Sequence, residues 1–256
     1  MLTILITPMV LRSQEFGDIN FFYINKIATG KATYEDTAKM KSLTYKIQNQ
    51  GMELQESYHS YRLSLEYIDK ALFIWTQIKD TANEANLHKF KGLLLANLGS
   101  FSEAKKEVSY AIKLFSLKKI DYGVAVSDLD FSKVYDMEGN YDSAMYYAKL
   151  SLDFWIAKSD TFRILTVRNQ QIYVAFKLND RDLARKIQLQ TEPLLNDKTL
   201  YWLPVIDFYY LSMLVYGESN IEPLKGKYER LYNEKRNEVQ PTRKSEVCSS
   251  FVKGKR

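Results

Sequence analysis

Along most of this chain apolar positions return every three or four residues, and strict alternation is rare. In residues 81–98, Leu87, Leu94, Leu95 and Leu98 fall together when wound at 3.6 residues per turn, which predicts a helix with that face buried. Stretches rich in Leu, Ala, Lys, Glu and Tyr run between sparse breakers. Ten Gly and five Pro in 256 residues are too few for a strand-rich fold, which needs a turn signal every 8 to 12 residues. The pattern predicts an all-α chain.

The helical pattern repeats. Residues 98–115 read LGSFSEAKKEVSYAIKLF and residues 138–155 read EGNYDSAMYYAKLSLDFW, which sets Gly99 against Gly139, Phe101 against Tyr141, Ala104 against Ala144 and Phe115 against Trp155 at a 40-residue period. Extending that period puts turns at His59, Asn179 and Ser219–Asn220, with Ala184 in the alanine position. A second boundary recurs where Trp75, Phe115 and Trp155 precede Asp80, Asp121 and Asp160. The period implies antiparallel helix pairs. Gly99, Gly139 and Asn179 suit the left-handed residue that ends the first helix of a pair. Ser100 with Glu103 reads as a capping box for the second. Ala104, Ala144 and Ala184 mark close helix contacts. One pair cannot bury both of its faces, so neighbouring pairs must stack, giving an α-solenoid of about five units.

These residues resemble the tetratricopeptide repeat (TPR) family: Gly99, Phe101, Ala104 and Ala111, and Gly139, Tyr141, Ala144 and Ser151, follow its second-helix pattern, and Gly92 its first-helix glycine. The likeness covers about residues 43 to 235. Departures are a period of 40 rather than 34, and Ser132, Ile172 and Ser212 in place of the glycine. Armadillo and HEAT arrays, with periods near 40, are the structural alternative. The domain reading is an N-terminal segment at 1–33, a TPR-like superhelical array at 34–236, and a basic disordered tail at 237–256.

The net charge of +5 is concentrated in the tail. Residues 225 to 256 hold ten Lys or Arg against four Glu, leaving 26 cations against 27 anions elsewhere. The body is thus close to neutral, and no nucleic-acid partner is expected. Cys248 is alone and forms no intrachain disulfide. The apolar run from Leu2 to Leu11 is too short to span a bilayer but has the length of a signal-peptide core, so residues 1–14 read either as a signal without a basic n-region or as a plain apolar helix. Localisation stays open between cytoplasm and bacterial envelope, and no transmembrane helix is expected.

Catalytic constellations are absent from the sequence. His59 and His88 are 29 positions apart with no metal-ligand spacing around them, and no nucleophile elbow, dinucleotide fingerprint or phosphate loop occurs. Asp128 and Asp130 point to different helix faces and read as solvated. The expectation is a protein that is not an enzyme, with no cofactor and no metal. What the resemblance implies instead is recognition in a concave groove lined by first helices. Its groove offsets fall on Asn86, Lys89, Asn97, Lys133, Asp136, Asn169, Tyr173, Lys177, Tyr209 and Tyr216. Such a surface suits an extended peptide or a partner helix. Lys89, Lys133 and Lys177, 44 positions apart, would trace a strip favouring an acidic segment. The chain is also similar to repeat-containing sensor regions of bacterial regulators. The competing reading is a helical ligand-binding or enzymatic domain using the inner cleft.

Overall fold

A computed structural model describes residues 31–58, 60–197, 200–218 and 221–253, with Lys26 and Thr29. The expected signal segment at 1–14 and the predicted turns at His59 and Ser219–Asn220 lie outside the described residues. Among the described residues there are ten α-helices and no strand: α1 (Tyr34–Tyr58), α2 (Tyr61–Ile78), α3 (Thr81–Asn97), α4 (Phe101–Leu117), α5 (Asp121–Glu138), α6 (Tyr141–Lys158), α7 (Thr161–Lys177), α8 (Arg181–Thr191), α9 (Trp202–Glu218) and α10 (Glu222–Lys253). A 3-10 segment, Glu192–Asn196, follows α8. Taken two at a time these make five helix pairs, as the 40-residue period requires.

The turns between helices are tighter and more regular than the glycines alone reveal. Lys79, Gly99, Lys119, Gly139, Ser159 and Asn179 all have positive φ, between 54° and 86°, at intervals of 20 residues. Each closes the preceding helix with the same two backbone bonds. At Gly99, for example, its N–H donates to Ala96 and the next N–H, that of Ser100, donates to Leu95. The next helix begins two residues later. Asp80, Asn140, Asp160 and Asp180 accept from the backbone N–H three residues on, satisfying one otherwise orphaned donor each. Ser100 does not: its side chain makes no capping bond, so the Ser100–Glu103 capping box expected from sequence is not formed. The turn needs only the backbone conformation, which the left-handed glycine before it already supplies.

The chain falls into two units, residues 1–130 and 131–256. In the first, α1 packs on α2, α2 on α3 and α3 on α4. Its core gathers Met40, Ile47, Ile68, Ile74, Trp75, Leu87 and Leu94. Gly92 sets the α3–α4 spacing, because a Cβ there would lie 2.5 Å from a Val108 methyl and 3.0 Å from the Ala104 carbonyl oxygen. Gly123 likewise lets α5 rest on the Phe115 ring, which a Cβ would meet at 2.5 Å. Leu87 and Leu94 are buried as predicted, but Leu98 is 37% exposed, since the helix ends at Asn97 and the chain turns away.

In the second unit α6 packs on α7, α7 on α8 and α9, and α9 on α10. Leu165, Ile172, Ala184, Val205, Phe208 and Val215 form its core. Ala144 and Ala184 are fully buried, like Ala104 in the first unit, at the close contacts assigned to them. Ser132, Ile172 and Ser212 are also fully buried where Gly92 stands in the second pair. The last helix, α10, runs past residue 236, the expected end of the array, to Lys253, through most of the segment read as a disordered tail. Beyond Pro223 in its first turn the helix holds one further proline, Pro241, and includes helix formers such as Lys235, Arg236 and Glu238.

Candidate functional site

The first helices of the pairs carry the residues predicted to line a groove, and their side chains fall into three groups. Asn86 and Asn97 on α3 are exposed, Asn97 donating back to the Leu93 carbonyl at 2.8 Å. Lys89 is already engaged. Its ammonium lies 3.2 Å from Asp130, a residue only 3% exposed. Asp130 is therefore a buried anion rather than a solvated one, and an unpaired charge at that depth would cost several kcal/mol. Asp128, also read as solvated, is half-buried, and loss of hydration pushes its carboxyl up to about 6.

A second group comes together in the second unit, across the end of α5 and the last turns of α7. The Asp136 carboxyl is raised by burial, a shift reduced by the facing Gln170 amide and the Lys177 charge. The Lys177 ammonium sits 5.3 Å from the centre of the half-buried Tyr173 ring, a cation–π geometry. Contact with the Tyr173 hydroxyl, then the charges of Tyr173, Tyr141 and Asp136, raise the Lys177 pKa. Nearby, α5 and α9 bring Lys133 within electrostatic range of Asp207. Asp207 is solvent-accessible, yet desolvation by the protein around it raises its carboxyl, and Lys133 offsets part of that. Gln170 and Asp207 are additions to the sequence-based set. Nothing in their spacing distinguishes them from other polar helix residues.

The third group is structural. Asn169 is 6% exposed and ties α7 to α9 by donating to the Pro204 carbonyl at 2.8 Å. Tyr216 is 1% exposed: its ring stacks parallel to Tyr228 at 5.6 Å, and its hydroxyl donates to Gln188 at 2.8 Å. A side chain so enclosed cannot touch a ligand. Tyr209, half-buried beside Phe208 and Tyr228, belongs to the same core margin, and burial raises its phenol. The burial of Asn169 and Tyr216 has a common cause. On the last pairs the packed helices close over offsets that would otherwise face outward.

The predicted lysine strip is consequently not a bare positive stripe. In the first unit Lys89 answers Asp130. In the second, Lys133 answers Asp207 and Lys177 answers Asp136, so that its face carries charges of both signs with Tyr173 beside them. Among the described residues no group of three or more His, Cys, Asp or Glu could hold a metal ion, and no helix is long and apolar enough to cross a membrane.

No family model matches the sequence, and no curated protein matches it. Solved structures do. BtubC (BKLC) from P. vanneervenii superposes with a TM-score of 0.65 at 12% identity, covering 89% of this chain and 91% of its own. A candidate kinesin light chain from Podosopora anserina, with nearly identical TPR-like repeats, gives 0.58 at 8% identity over 77% of this chain and 96% of its own. At such identities the likeness is one of fold. Together with the paired helices and their 20-residue turns, it identifies the chain as an all-α, TPR-like helical solenoid, a repeat scaffold of about five units.

Proposed function

We propose that the chain is a protein-interaction module that holds an extended peptide or a partner helix against the first-helix face of its second unit. The observation that supports this reading is the Asp136–Gln170–Tyr173–Lys177 constellation: four side chains of different chemistry, drawn together on a scaffold without a metal-binding cluster among the described residues. Tyr173 offers aromatic area at low entropic cost, while Lys177, Asp136, Lys133 and Asp207 offer charges of both signs. A zwitterionic face selects a segment with its own alternation of charge, rather than a purely acidic one. Its paired charges give register, because sliding a mixed-charge segment along the face would set like charges together.

Affinity capture with the purified chain names a partner, and charge variants locate its site. Changing Lys133 and Lys177 to Glu should weaken binding of the captured partner by about tenfold, roughly 1.4 kcal/mol, with an unchanged helical circular dichroism spectrum. Unchanged affinity in that double variant would remove the first-helix face of the second unit from recognition.

A further inference from the structure

We propose that one face of α9 is a docking site for a helix of a partner protein that carries a Trp or Phe, seated where the last turns of α8 would lie if α8 were as long as its counterparts. The earlier repeats show what belongs there. Trp75, Phe115 and Trp155 recur at 40-residue intervals near the ends of α2, α4 and α6, and all three are buried. Phe115 lies on Gly123 of α5, where a Cβ would meet its ring at 2.5 Å. Trp155 lies under the Arg163 guanidinium of α7, 5.3 Å from the ring centre. The position that Gly123 and Arg163 hold in those helices is Leu203 in α9.

The fourth pair lacks this aromatic wedge. Helices α4 and α6 have 17 and 18 residues, but α8 has 11 and stops at Thr191. Pro193 is the cause. It brings no N–H, and its ring crowds the preceding residue out of helical geometry, so the chain passes into the 3-10 segment Glu192–Asn196. At the aromatic position stands Leu195, smaller and only partly buried.

The face of α9 left uncovered is apolar. On α5, Gly123, Ser127, Asp130 and Val134 form a stripe at helical spacing, and all four are buried. On α9 the same positions are Leu203, Asp207, Tyr210 and Leu214. Leu203 is 48% exposed and Tyr210 44%, Asp207 is exposed, and Leu214 is half-buried. Val205, Phe208 and Val215, on the other side of α9, join the core it shares with α7 and α10, so the helix is held in place without the stripe. Its sequence, WLPVIDFYYLSMLVYGE, has Asp207 and Glu218 as its only charges. A helix apolar on all sides belongs in a core, and an apolar stripe open over three turns marks a binding surface.

The repeats also specify the occupant. A helix with an aromatic wedge covers the same position on α5 and α7, so a partner helix of that kind continues an interface the array already makes twice. Asp207 lies one turn from Leu203 and selects a Lys or Arg one turn from the aromatic residue. The Asp136–Gln170–Tyr173–Lys177 constellation plays no part in this site.

The helix that covers the stripe on α7 supplies the probe: a synthetic peptide of residues 141–158, the α6 sequence, in which Trp155 is the wedge and Lys158 follows within one turn. Added to the isotope-labelled full chain, it should shift the amide resonances of Leu203 to Leu214 and saturate at micromolar concentration. The same peptide with Trp155→Ala should bind at least about tenfold more weakly. A Tyr210→Lys chain should lose the wild-type peptide to the same extent with an unchanged melting temperature, since Tyr210 lies at the surface. No binding at about 1 mM peptide, equal affinity of the two peptides, or shifts confined to other helices would overturn the proposal. So would a concentration-dependent dimer dispersed by Tyr210→Lys, because a second copy of the chain would then cover the stripe. The comparison of the two peptides decides the matter if the Tyr210 variant does not fold.

Discussion

Asp128 offers a direct measurement of what a half-buried carboxylate costs this fold. It sits on α5 without an ion-pair partner among the described residues, and desolvation alone raises its carboxyl from 3.8 to about 6. A shift of about two units corresponds to about 3 kcal/mol at 1.36 kcal/mol per unit. The side chain keeps part of its hydration, and that screening reduces the expected cost to about 1–2 kcal/mol. For an acid whose folded pKa lies above its unfolded one, the folded state holds the proton more tightly, so stability falls as pH rises from about 4 to about 6 and is level beyond. Asp128→Asn removes the titration while preserving shape. Urea unfolding of both proteins across pH 3.5 to 8, compared at matched m-values, should give a difference near zero at the acid end and about 1–2 kcal/mol in favour of the variant above pH 7. A variant no more stable than wild type at pH 7.5, or one whose advantage is the same at every pH, would refute the reasoning.

Two further predictions concern the turns. At Gly99, φ is +80° and a methyl placed there would meet no atom within 4 Å, so Gly99→Ala should cost about 1 kcal/mol through backbone strain alone; at Lys119, φ is +56°, and Lys119→Gly should be stabilising or neutral, both read from thermal melts. Asp160→Ala should lose about 1 kcal/mol because its carboxylate accepts from the Arg163 N–H at 2.9 Å, whereas Ser100→Ala, which breaks no capping bond, should stay within about 0.5 kcal/mol of wild type; equal losses would contradict the cap assignment.

The repeat is legible in the sequence because glycine and alanine report backbone demands directly. Gly99 and Gly139 mark left-handed turns, and Ala104, Ala144 and Ala184 mark places where a larger side chain has no room. The alternate turns at Lys79, Lys119 and Ser159 leave no such mark, since Lys and Ser appear everywhere on helix surfaces and their left-handed backbone is a property of φ rather than of side-chain type. A 20-residue rhythm therefore reads as a 40-residue one. For the candidate site, the sequence supplies the helices that carry the proposed residues. What the sequence leaves open is how neighbouring helices close over those residues: the packing of α7, α9 and α10 carries Asn169 to the Pro204 carbonyl and Tyr216 into the core, while leaving Tyr173 and Lys177 at the surface margin. The burial of Asp130 is hidden for a similar reason, because it depends on Lys89, 41 positions earlier, being there to meet it.

The reach of the side-chain bonds has a kinetic corollary. Lys41 to Asp80 spans 39 positions and Gln188 to Tyr228 spans 40, so each tie closes a loop about one repeat long. Closing such a loop costs nearly the same entropy wherever it lies. Contact order is thereby kept low, and nucleation can start at any neighbouring pair of repeats and spread by adding helices to an existing edge. A chain assembled in this way is expected to fold quickly for its length, and a defect in one turn should slow propagation past that turn while leaving initiation elsewhere untouched.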